Sequence, residues 1–323
     1  MAAECVIGVD LGGTKLLAGV LDDGLGVHHR VQRPVHGLGQ RELLDTVVAA
    51  VEEARAAASA EVTAVGFGIP CLIDQRRGMA LMAVNLALAD VPFRDLMAER
   101  LGLPVEVDND ANCAALAEHR AGAAQGADDA VVLTIGTGIG GGLILGGEVY
   151  RGAIGAGAEL GHMTIDLDGP PCQGNCPNHG CLETLASGTA LAREGGRIAA
   201  ERPDSQLGRA LADGREITGA LVTELAHDGD AAAVEALALI GRSLGVGIAA
   251  LLNVFNPDVV VVGGGVIAAG DLLLEPARAE VAERALPPVR EHARIVPAQF
   301  GVEAGMVGAG ALAFAHARGT EVA

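Results

Sequence analysis

Three of the six cysteines are spaced as ligands of a metal ion. Cys172, Cys176 and Cys181 form a C-x3-C-x4-C pattern that begins ten residues after His162. Three thiolates and one imidazole suit a tetrahedral Zn²⁺, and four protein ligands leave no open position for water. The pattern therefore predicts a structural zinc site, which would fix the position of Glu183 just beyond the last cysteine. A disulfide pair or three unrelated thiols are the alternative interpretations.

A glycine turn near the N-terminus has the composition of a phosphate-binding loop. In DLGGTK, Asp10 ends an apolar run and is followed by Gly12, Gly13 and Thr14. Glycines let backbone N–H groups approach phosphate oxygens, and the Thr14 hydroxyl adds a further donor. An aspartate at a strand end can hold Mg²⁺ through water. The alternative is an ordinary Gly-Gly hairpin turn, since the motif is neither a Walker loop nor GxGxxG.

Similar chemistry recurs twice further along the chain. Gly136, Thr137 and Gly138 follow a second apolar run, and Gly263–Gly265 follow a third, in NPDVVVVGGG. We expect the first two turns to face each other and clamp the phosphates of a nucleotide, while the third lets a flat adenine lie against the backbone. Any one of them could be simple turn chemistry, but three in one chain favour nucleotide binding.

Four polar residues cluster where a helix follows a short strand, namely Asp108, Asn109, Asp110 and Asn112. Capping alone would account for one of them. A carboxylate at this position could instead take a proton from a substrate hydroxyl. Its pKa need not be unusual, because phosphoryl transfer depends mainly on positioning and charge stabilisation.

Glu159, His162 and Glu183 bracket the cysteine loop. Carboxylates and an imidazole suit hydrogen bonds to vicinal sugar hydroxyls, although a single glutamate is more often an ordinary surface acid. If a bound metal ordered the loop, these residues would form one wall of a sugar-binding site. Asn85, an isolated amide in AVNLAL, is either a hydroxyl-binding group or a turn residue with satisfied hydrogen bonds.

The pattern of apolar residues predicts two α/β halves. Residues 5–21 and 131–147 each have the pattern of a strand, a glycine turn and a strand, which indicates an internal duplication. Helical spacing is found at 43–58, 186–200, 230–254 and 304–317. We expect a smaller domain of residues 1–121 and a larger one of residues 122–303 that carries the cysteine loop. The C-terminal helix, about residues 304–323, is expected to pack back on the first domain.

Composition argues against several classes of function. The 323 residues carry a formal net charge of −19, which disfavours nucleic acids and anionic membranes as partners. The N-terminus lacks the basic region of a signal peptide, and no apolar run is expected to reach the roughly 20 residues of a membrane span. Clustered thiols without a signal peptide indicate a reducing, cytoplasmic setting.

These motifs, in their order and spacing, resemble the ROK family of the actin/hexokinase-like superfamily. The resemblance covers nearly the whole chain, from DLGGTK at 10–15 to AGMVGAGALA at 304–313. Its most specific pieces are DNDANCAALAE (108–118), GAELGH (157–162), GCLE (180–183) and NPDVVVVGGG (256–265). The resemblance implies a ribonuclease H-like fold of duplicated α/β domains, with ATP and a sugar meeting in the cleft between them.

The resemblance also implies roles for the motif residues. Asp110 matches the catalytic base, and the residues that match sugar-binding positions are Asn109, Glu159, His162 and Glu183, to which we add Asn85. One ring nitrogen of His162 would bind zinc while the other faces the sugar. The phosphate elements match Asp10, Gly12, Gly13, Thr14, Gly136 and Thr137, and we add as nucleotide-binding residues Lys15, Gly138, Gly264 and Gly265.

The chain departs from the family pattern in three places. The usual cysteine spacing is C-x-C-x4-C, so Cys172 lies two residues early and Gly174 holds the expected position. A flexible insertion could still bring Cys172 to the metal. Ala158 stands where the family often has glycine, and the Pro and Trp often seen around the Asn85 loop are absent.

The resemblance implies an ATP- and Mg²⁺-dependent hexose 6-phosphotransferase, most like the family's bacterial glucokinases, with D-glucose favoured. N-acetylmannosamine, fructose and other hexoses are alternative substrates, and polyphosphate is an alternative donor. A sugar-sensing repressor is disfavoured, because the first motif begins at residue 10 and leaves no room for the N-terminal DNA-binding domain of such regulators. Since family members are often dimers or tetramers, a homo-oligomer is expected.

Overall fold

Strands and helices alternate along the chain in a computed structural model that describes residues 4–83 and 86–319. The strands are β1 (Glu4–Leu11), β2 (Lys15–Leu21), β3 (Val27–Pro34), β4 (Glu61–Ile69), β5 (Cys71–Asp74), β6 (Met79–Ala83), β7 (Ala89–Val91), β8 (Val105–Asn109), β9 (Ala130–Ile135), β10 (Ile139–Leu145), β11 (Glu148–Val149), β12 (Val259–Gly263) and β13 (Arg294–Pro297). The α-helices are α1 (Gln40–Ala57), α2 (Phe93–Leu101), α3 (Asp110–Ala121), α4 (Leu182–Ala186), α5 (Gly188–Glu201), α6 (Gln206–Ala212), α7 (Gly219–His227), α8 (Ala231–Phe255), α9 (Asp271–Arg284), α10 (Pro287–His292) and α11 (Ala304–Ala317). Short 3₁₀ helices lie at Leu160–His162, Gly265–Ala269 and Gly301–Glu303.

The chain forms two compact units. The first contains the chain up to Asp128, Gly142–Ala158 and the chain from Gln299 onward, while the second contains Asp129–Gly141 and Glu159–Ala298. The segment 142–158 was expected in the second domain, but it clusters with the first unit. Close packing accounts for this difference, because a Cβ at Gly142 would lie 2.5 Å from the Cβ of Ala115 in α3.

Two five-stranded sheets have matching strand orders. The first has the order β3-β2-β1-β4-β8, in which β1, β2 and β3 are antiparallel neighbours and β4 and β8 continue in parallel. The second has the order β11-β10-β9-β12-β13, with β9, β12 and β13 parallel. This repetition confirms the internal duplication predicted from the two segments with a strand, a glycine turn and a strand. A separate three-stranded sheet has the order β5-β6-β7.

Helix α11 packs directly on the first sheet and on α3. A Cβ at Gly8 would lie 2.0 Å from the Met306 carbonyl oxygen, and one at Gly66 would lie 1.8 Å from that of Ala309. The absence of side chains at both positions lets the helix backbone touch the strands. Contacts of this kind explain how a chain with only 2% aromatic residues fills its core.

Helix α8 is the central helix of the second unit. By length and composition it could cross a membrane, with a mean hydropathy of 1.8 in its most apolar window, and among the described residues it is the one such helix. The helix itself was predicted at 230–254, but no apolar run in it was expected to be long enough for a span, because glycines interrupt the run. More than half of that window is buried, and the helix packs against α4, α5, α7 and α9. Its surroundings are those of a core helix.

Candidate active site

The polar cluster lies where β8 meets α3. Asn109 is the last residue of β8, and its side-chain oxygen caps α3 by accepting from the backbone nitrogens of Ala111 at 2.9 Å and Asn112 at 3.2 Å. Asp110 is the first residue of the helix. Because the cap uses only the amide oxygen of Asn109, its amide nitrogen can still donate to a ligand. Capping and substrate binding are therefore compatible at this residue.

Sequence reasoning missed Arg151, which forms an ion pair with Asp108. The Arg151 Nε donates to Asp108 Oδ2 at 2.8 Å, and the two side chains are 13% and 4% exposed. The only signal in the sequence was an arginine two residues after a short strand. Such an arginine is usually exposed, so nothing local pointed to the pair.

The first glycine turn joins β1 to β2, with Asp10 near the end of β1. Burial, and after it the negative charge of Asp110, raise the pKa of Asp10 to about 7, while Lys15 acts in the opposite direction. The carboxyl of Asp10 also lies against α11, since a Cβ at Gly305 would be 2.8 Å from its Cγ. A divalent cation would offset the cost of two neighbouring carboxylates, so this group fits the Mg²⁺ role.

The second and third glycine segments meet in the second unit. Gly264 has φ +83°, and a Cβ there would lie 2.4 Å from the Ile135 carbonyl oxygen at the end of β9. Gly136, Thr137 and Gly265 line one cavity of about 710 Å³. The turn rests on the start of α5, because Gly188 N donates to Gly136 O at 2.8 Å.

Residues that were not predicted from the sequence also line this cavity. They come from α5, α7 and the segments near them, and among them are Gly188, Thr189, Thr218, Gly219, Thr223 and Val266. The Thr189 hydroxyl donates to Thr137 O at 2.7 Å, which fixes the turn against the helix. A cavity with apolar walls, a few hydroxyls and a helix N-terminus at one side suits a nucleoside with attached phosphates.

Glu183 lies in α4 and contacts the second glycine turn. Its Oε2 accepts from Ile139 N at 2.8 Å, and the same oxygen would be 2.1 Å from a Cβ at Gly138. The residue predicted to bind sugar is thus packed against a residue predicted to bind phosphate. Only glycine can occupy position 138 without displacing the Glu183 carboxylate.

The structure brings the four predicted metal ligands together. One ligand atom each from His162, Cys172, Cys176 and Cys181 lies within 4.8 Å of all the others. His162 Nδ1 is 3.4 Å from Cys172 Sγ, and Cys176 Sγ is 4.0 Å from Cys181 Sγ. Ligands about 2.3 Å from a tetrahedral zinc ion would be roughly 3.8 Å apart, so the cluster fits the metal. All six cysteines are free thiols, which excludes the disulfide interpretation for this structure.

The thiols of the cluster lie close enough to affect one another's pKa. Burial, and then the neighbouring thiols of Cys181 and Cys176, raise the pKa of Cys172 to about 12. A bound metal would reverse this effect by stabilising the thiolates. Gly174, which occupies the family's usual cysteine position, has φ +62°, a conformation that disfavours any side chain. Cys172 is therefore the third sulfur-bearing residue of the cluster.

The remaining predicted residues lie at the edges of the loop. Glu159 is exposed and precedes the 3₁₀ turn that carries His162, and its carbonyl oxygen accepts from His162 N at 3.0 Å. Ala158 has φ +62°, which explains why glycine is common at this position in the family. Thr14 and Lys15 are exposed in the first turn. Asn85 lies outside the described residues.

The fold, the two glycine turns and the Cys/His cluster define a sugar-kinase-like α/β protein. The chain belongs to the ROK family, whose sequence model matches residues 6–316. The glucokinase of Streptomyces coelicolor is 37% identical over 313 residues, which cover 95% of this chain and 96% of that protein.

Solved structures agree with the family and its actin-like fold. A ROK family glucokinase from Streptomyces griseus, solved in complex with glucose and AMPPNP, has a TM-score of 0.84 and 39% identity, covering 96% of this chain and 99% of that one. The family also includes regulators: the xylose repressor of Bacillus spizizenii is 28% identical over 315 residues, which cover 96% of this chain and 77% of the repressor.

Proposed function

We propose that this protein is an ATP-dependent hexose kinase that converts D-glucose to glucose 6-phosphate. The observation that carries the proposal is the position of Asp110 as the first residue of α3, beside the capping Asn109, in a chain that aligns over almost its full length with glucokinases. A carboxylate fixed at a helix start beside an amide donor suits both roles that a sugar hydroxyl requires, proton acceptance and orientation.

In this proposal Asp110 accepts the proton of the 6-hydroxyl as that oxygen attacks the γ-phosphorus of ATP. A carboxylate of ordinary basicity suffices, because positioning and charge stabilisation dominate phosphoryl transfer. The Asn109 amide nitrogen, the carboxylates of Glu159 and Glu183 and the Nε2 of His162 bind the other hydroxyls. His162 can serve both sites, since its Nδ1 is the nitrogen that lies beside Cys172 Sγ.

ATP is the proposed donor because of the cavity in the second unit. The Gly136–Gly138 turn and the N-terminus of α5 offer backbone N–H groups to phosphates, and the walls beyond them have the size and polarity for a nucleoside. Polyphosphate has no base to fill such a space. Gly12, Gly13, Thr14 and Lys15 supply the second set of phosphate contacts in the proposal.

Two metals belong to the proposed enzyme. Asp10 would hold Mg²⁺ through water, and the ion would neutralise phosphate charge. His162, Cys172, Cys176 and Cys181 would hold a structural Zn²⁺ that orders the loop leading to Glu183.

Free thiols at a zinc site and the need for ATP both favour the cytoplasm. A homo-oligomer remains a prediction, which analytical ultracentrifugation would test.

The deciding experiment is an ADP-release assay with glucose, mannose, fructose, N-acetylmannosamine and N-acetylglucosamine, each with ATP and Mg²⁺. We expect the highest kcat/KM with glucose. A clear preference for another hexose would keep the mechanism and change the substrate, and sugar-dependent turnover with polyphosphate but not ATP would overturn the donor assignment. If no sugar drives turnover with either donor, the kinase proposal fails and a sugar-binding regulator becomes the better explanation.

A further inference from the structure

Asp108 and Arg151 form a buried ion pair directly beside the proposed base. Both side chains are largely removed from water, and the Nε to Oδ2 distance is 2.8 Å. A buried charge without a partner is strongly disfavoured, so each group holds the other in place. Neither residue belongs to the proposed sugar-binding or phosphate-binding sets.

The other carboxylate oxygen of Asp108, Oδ1, is hydrogen-bonded to residues on both sides of Asp110 at the start of α3. Its Oδ1 accepts from Asn109 N at 2.7 Å and from Asn112 Nδ2 at 3.0 Å. The amide oxygen of Asn112 makes no hydrogen bond within the described residues, so Asp108 is the group that orients this buried side chain. The residue before Asp110 and the residue two positions after it are therefore tied to one carboxylate.

Arg151 holds the segment from Val149 to Gly157. Its Nη1 donates to Val149 O at 3.4 Å, and its own carbonyl oxygen accepts from Gly157 N at 2.8 Å. The segment is tightly folded, since a Cβ at Gly157 would lie 2.7 Å from the Arg151 carbonyl carbon. Two residues after Gly157 the chain reaches Glu159, a proposed sugar ligand.

We propose that the Asp108–Arg151 pair is a positioning device, which fixes the Asn109–Asp110 dipeptide for reaction and ties it to the segment that leads to Glu159. The inference rests on the proposed function, because it assigns this pair to the same sugar site. Neither side chain needs to touch the substrate. Misplacement of a reacting group by about 1 Å can cost about a hundredfold in rate, so loss of the pair affects catalysis through geometry.

The test compares Arg151→Met, Arg151→Lys, Asp108→Asn and the double variant in steady-state kinetics. Arg151→Met should lower kcat at least about tenfold and raise the sugar KM, with the ATP KM changed less than about twofold. Arg151→Lys keeps the charge and one donor, so it should recover most of the loss. The double variant should lose no more than the worse single variant, because the two residues act as one unit. Arg197→Met, which breaks an exposed ion pair with Glu194, is the matched control and should leave kcat unchanged.

A folded Arg151→Met protein with wild-type kcat and sugar KM would overturn the proposal, as would equal changes in the sugar and ATP KM. If Arg151→Met does not fold, Asp108→Asn is the variant that tests the proposal. It removes the charge that pairs with Arg151, while asparagine keeps the oxygen that binds Asn109 and Asn112. Hydrogen exchange separates this inference from the proposed function. Even if the wild type phosphorylates no sugar, the Gly157 amide should exchange at least about tenfold faster in Arg151→Met, and unchanged exchange would contradict the pair's role.

Discussion

The carboxylate of Glu183 lies against the backbone of Gly138. Its Oε2 is 2.8 Å from Ile139 N and occupies the space that a side chain at Gly138 would need. Cys181, two residues earlier, is a member of the Cys/His cluster and the N-cap of α4. The cysteine loop is thus connected through one short helix to the second glycine turn. A substitution in the cysteine loop should therefore affect the glycine turn, and a substitution in the turn should affect the loop.

Gly138→Ala should reduce phosphoryl transfer and sugar binding together. The new Cβ would be 2.1 Å from Glu183 Oε2, so either the turn or the carboxylate must shift. We expect the KM for ATP and the KM for sugar each to rise at least about tenfold, since roughly 1.4 kcal/mol corresponds to that factor. Gly196→Ala is the control: Gly196 lies within α5 with no atom near its Cβ position, and alanine there should stabilise by about 0.5–1 kcal/mol. Unchanged KM values in Gly138→Ala would show that the contact carries no function.

Asp110→Asn should lower kcat by at least about two orders of magnitude. Asparagine keeps the oxygen that accepts from Ala111 N, so the helix start and the neighbouring Asn109 cap should remain. Sugar affinity measured by calorimetry should therefore change little. Asp95→Asn, at an exposed position in α2, is the matched control. Turnover close to wild type would remove Asp110 from the role of base.

Cys181→Ser should abolish metal binding and weaken sugar binding in the same protein. We expect bound zinc, measured by mass spectrometry, to fall from about one ion per chain to background, because a structural site needs all four ligands. A chelator should have the same effect on the wild type. Cys5→Ala removes a buried thiol outside the cluster and should keep the metal. Normal sugar affinity in metal-free Cys181→Ser would mean that the loop does not order the sugar site.

Asp230 should stabilise the fold more at neutral pH than in acid. Burial raises the pKa of Asp230, but hydrogen bonds from the backbone nitrogens of Leu207, Ala233 and Ala232 outweigh it, so the pKa lies below its ordinary value. Stability from such a group is present above the unfolded pKa of about 3.9 and is lost as pH falls through the folded pKa. Asp230→Ala should cost about 1–3 kcal/mol at pH 7.

Urea unfolding of wild type and Asp230→Ala at pH 7 and near pH 3 would measure this effect, and the difference between the two proteins should shrink in acid. Asp213→Ala, an exposed acid, should show no such trend. A gap between wild type and Asp230→Ala that widens as the pH falls would mean that the pKa of Asp230 is raised.

Ala158→Gly should be tolerated and Ala158→Val should not. The φ of +62° at Ala158 is costly for any residue with a Cβ, by about 1–2 kcal/mol, and more so for a β-branched one. Glycine relieves this strain but gains chain entropy when unfolded, so the net change should be small. Valine should lower the melting temperature and raise the sugar KM, because Glu159 follows directly. Equal stability of the valine and glycine variants would show that the backbone relaxes freely at this position.

Local sequence patterns predicted the main elements and many of the residues proposed for the site. Alternating and helical apolar patterns predicted α11 at 304–317 and placed α8 and α1 within a few residues of their observed bounds. Glycines after apolar strands marked both turns, since a residue without a side chain permits the tight backbone conformations of such turns. The clustered cysteines and the polar residues before α3 were likewise visible, because their chemistry depends on neighbours only a few positions away.

Tertiary structure alone decided the contacts between residues far apart in the chain. Asp108 meets Arg151 and Gly138 meets Glu183 across more than forty positions, and no local preference encodes either pairing. The assignment of residues 142–158 to the first unit depended on how closely Gly142 packs on α3. Cys172 likewise lies in the Cys/His cluster although its spacing departs from the family pattern, because the loop fold brings its sulfur to His162. Short-range propensity specifies which elements form, whereas close packing of the whole chain selects which side chains meet.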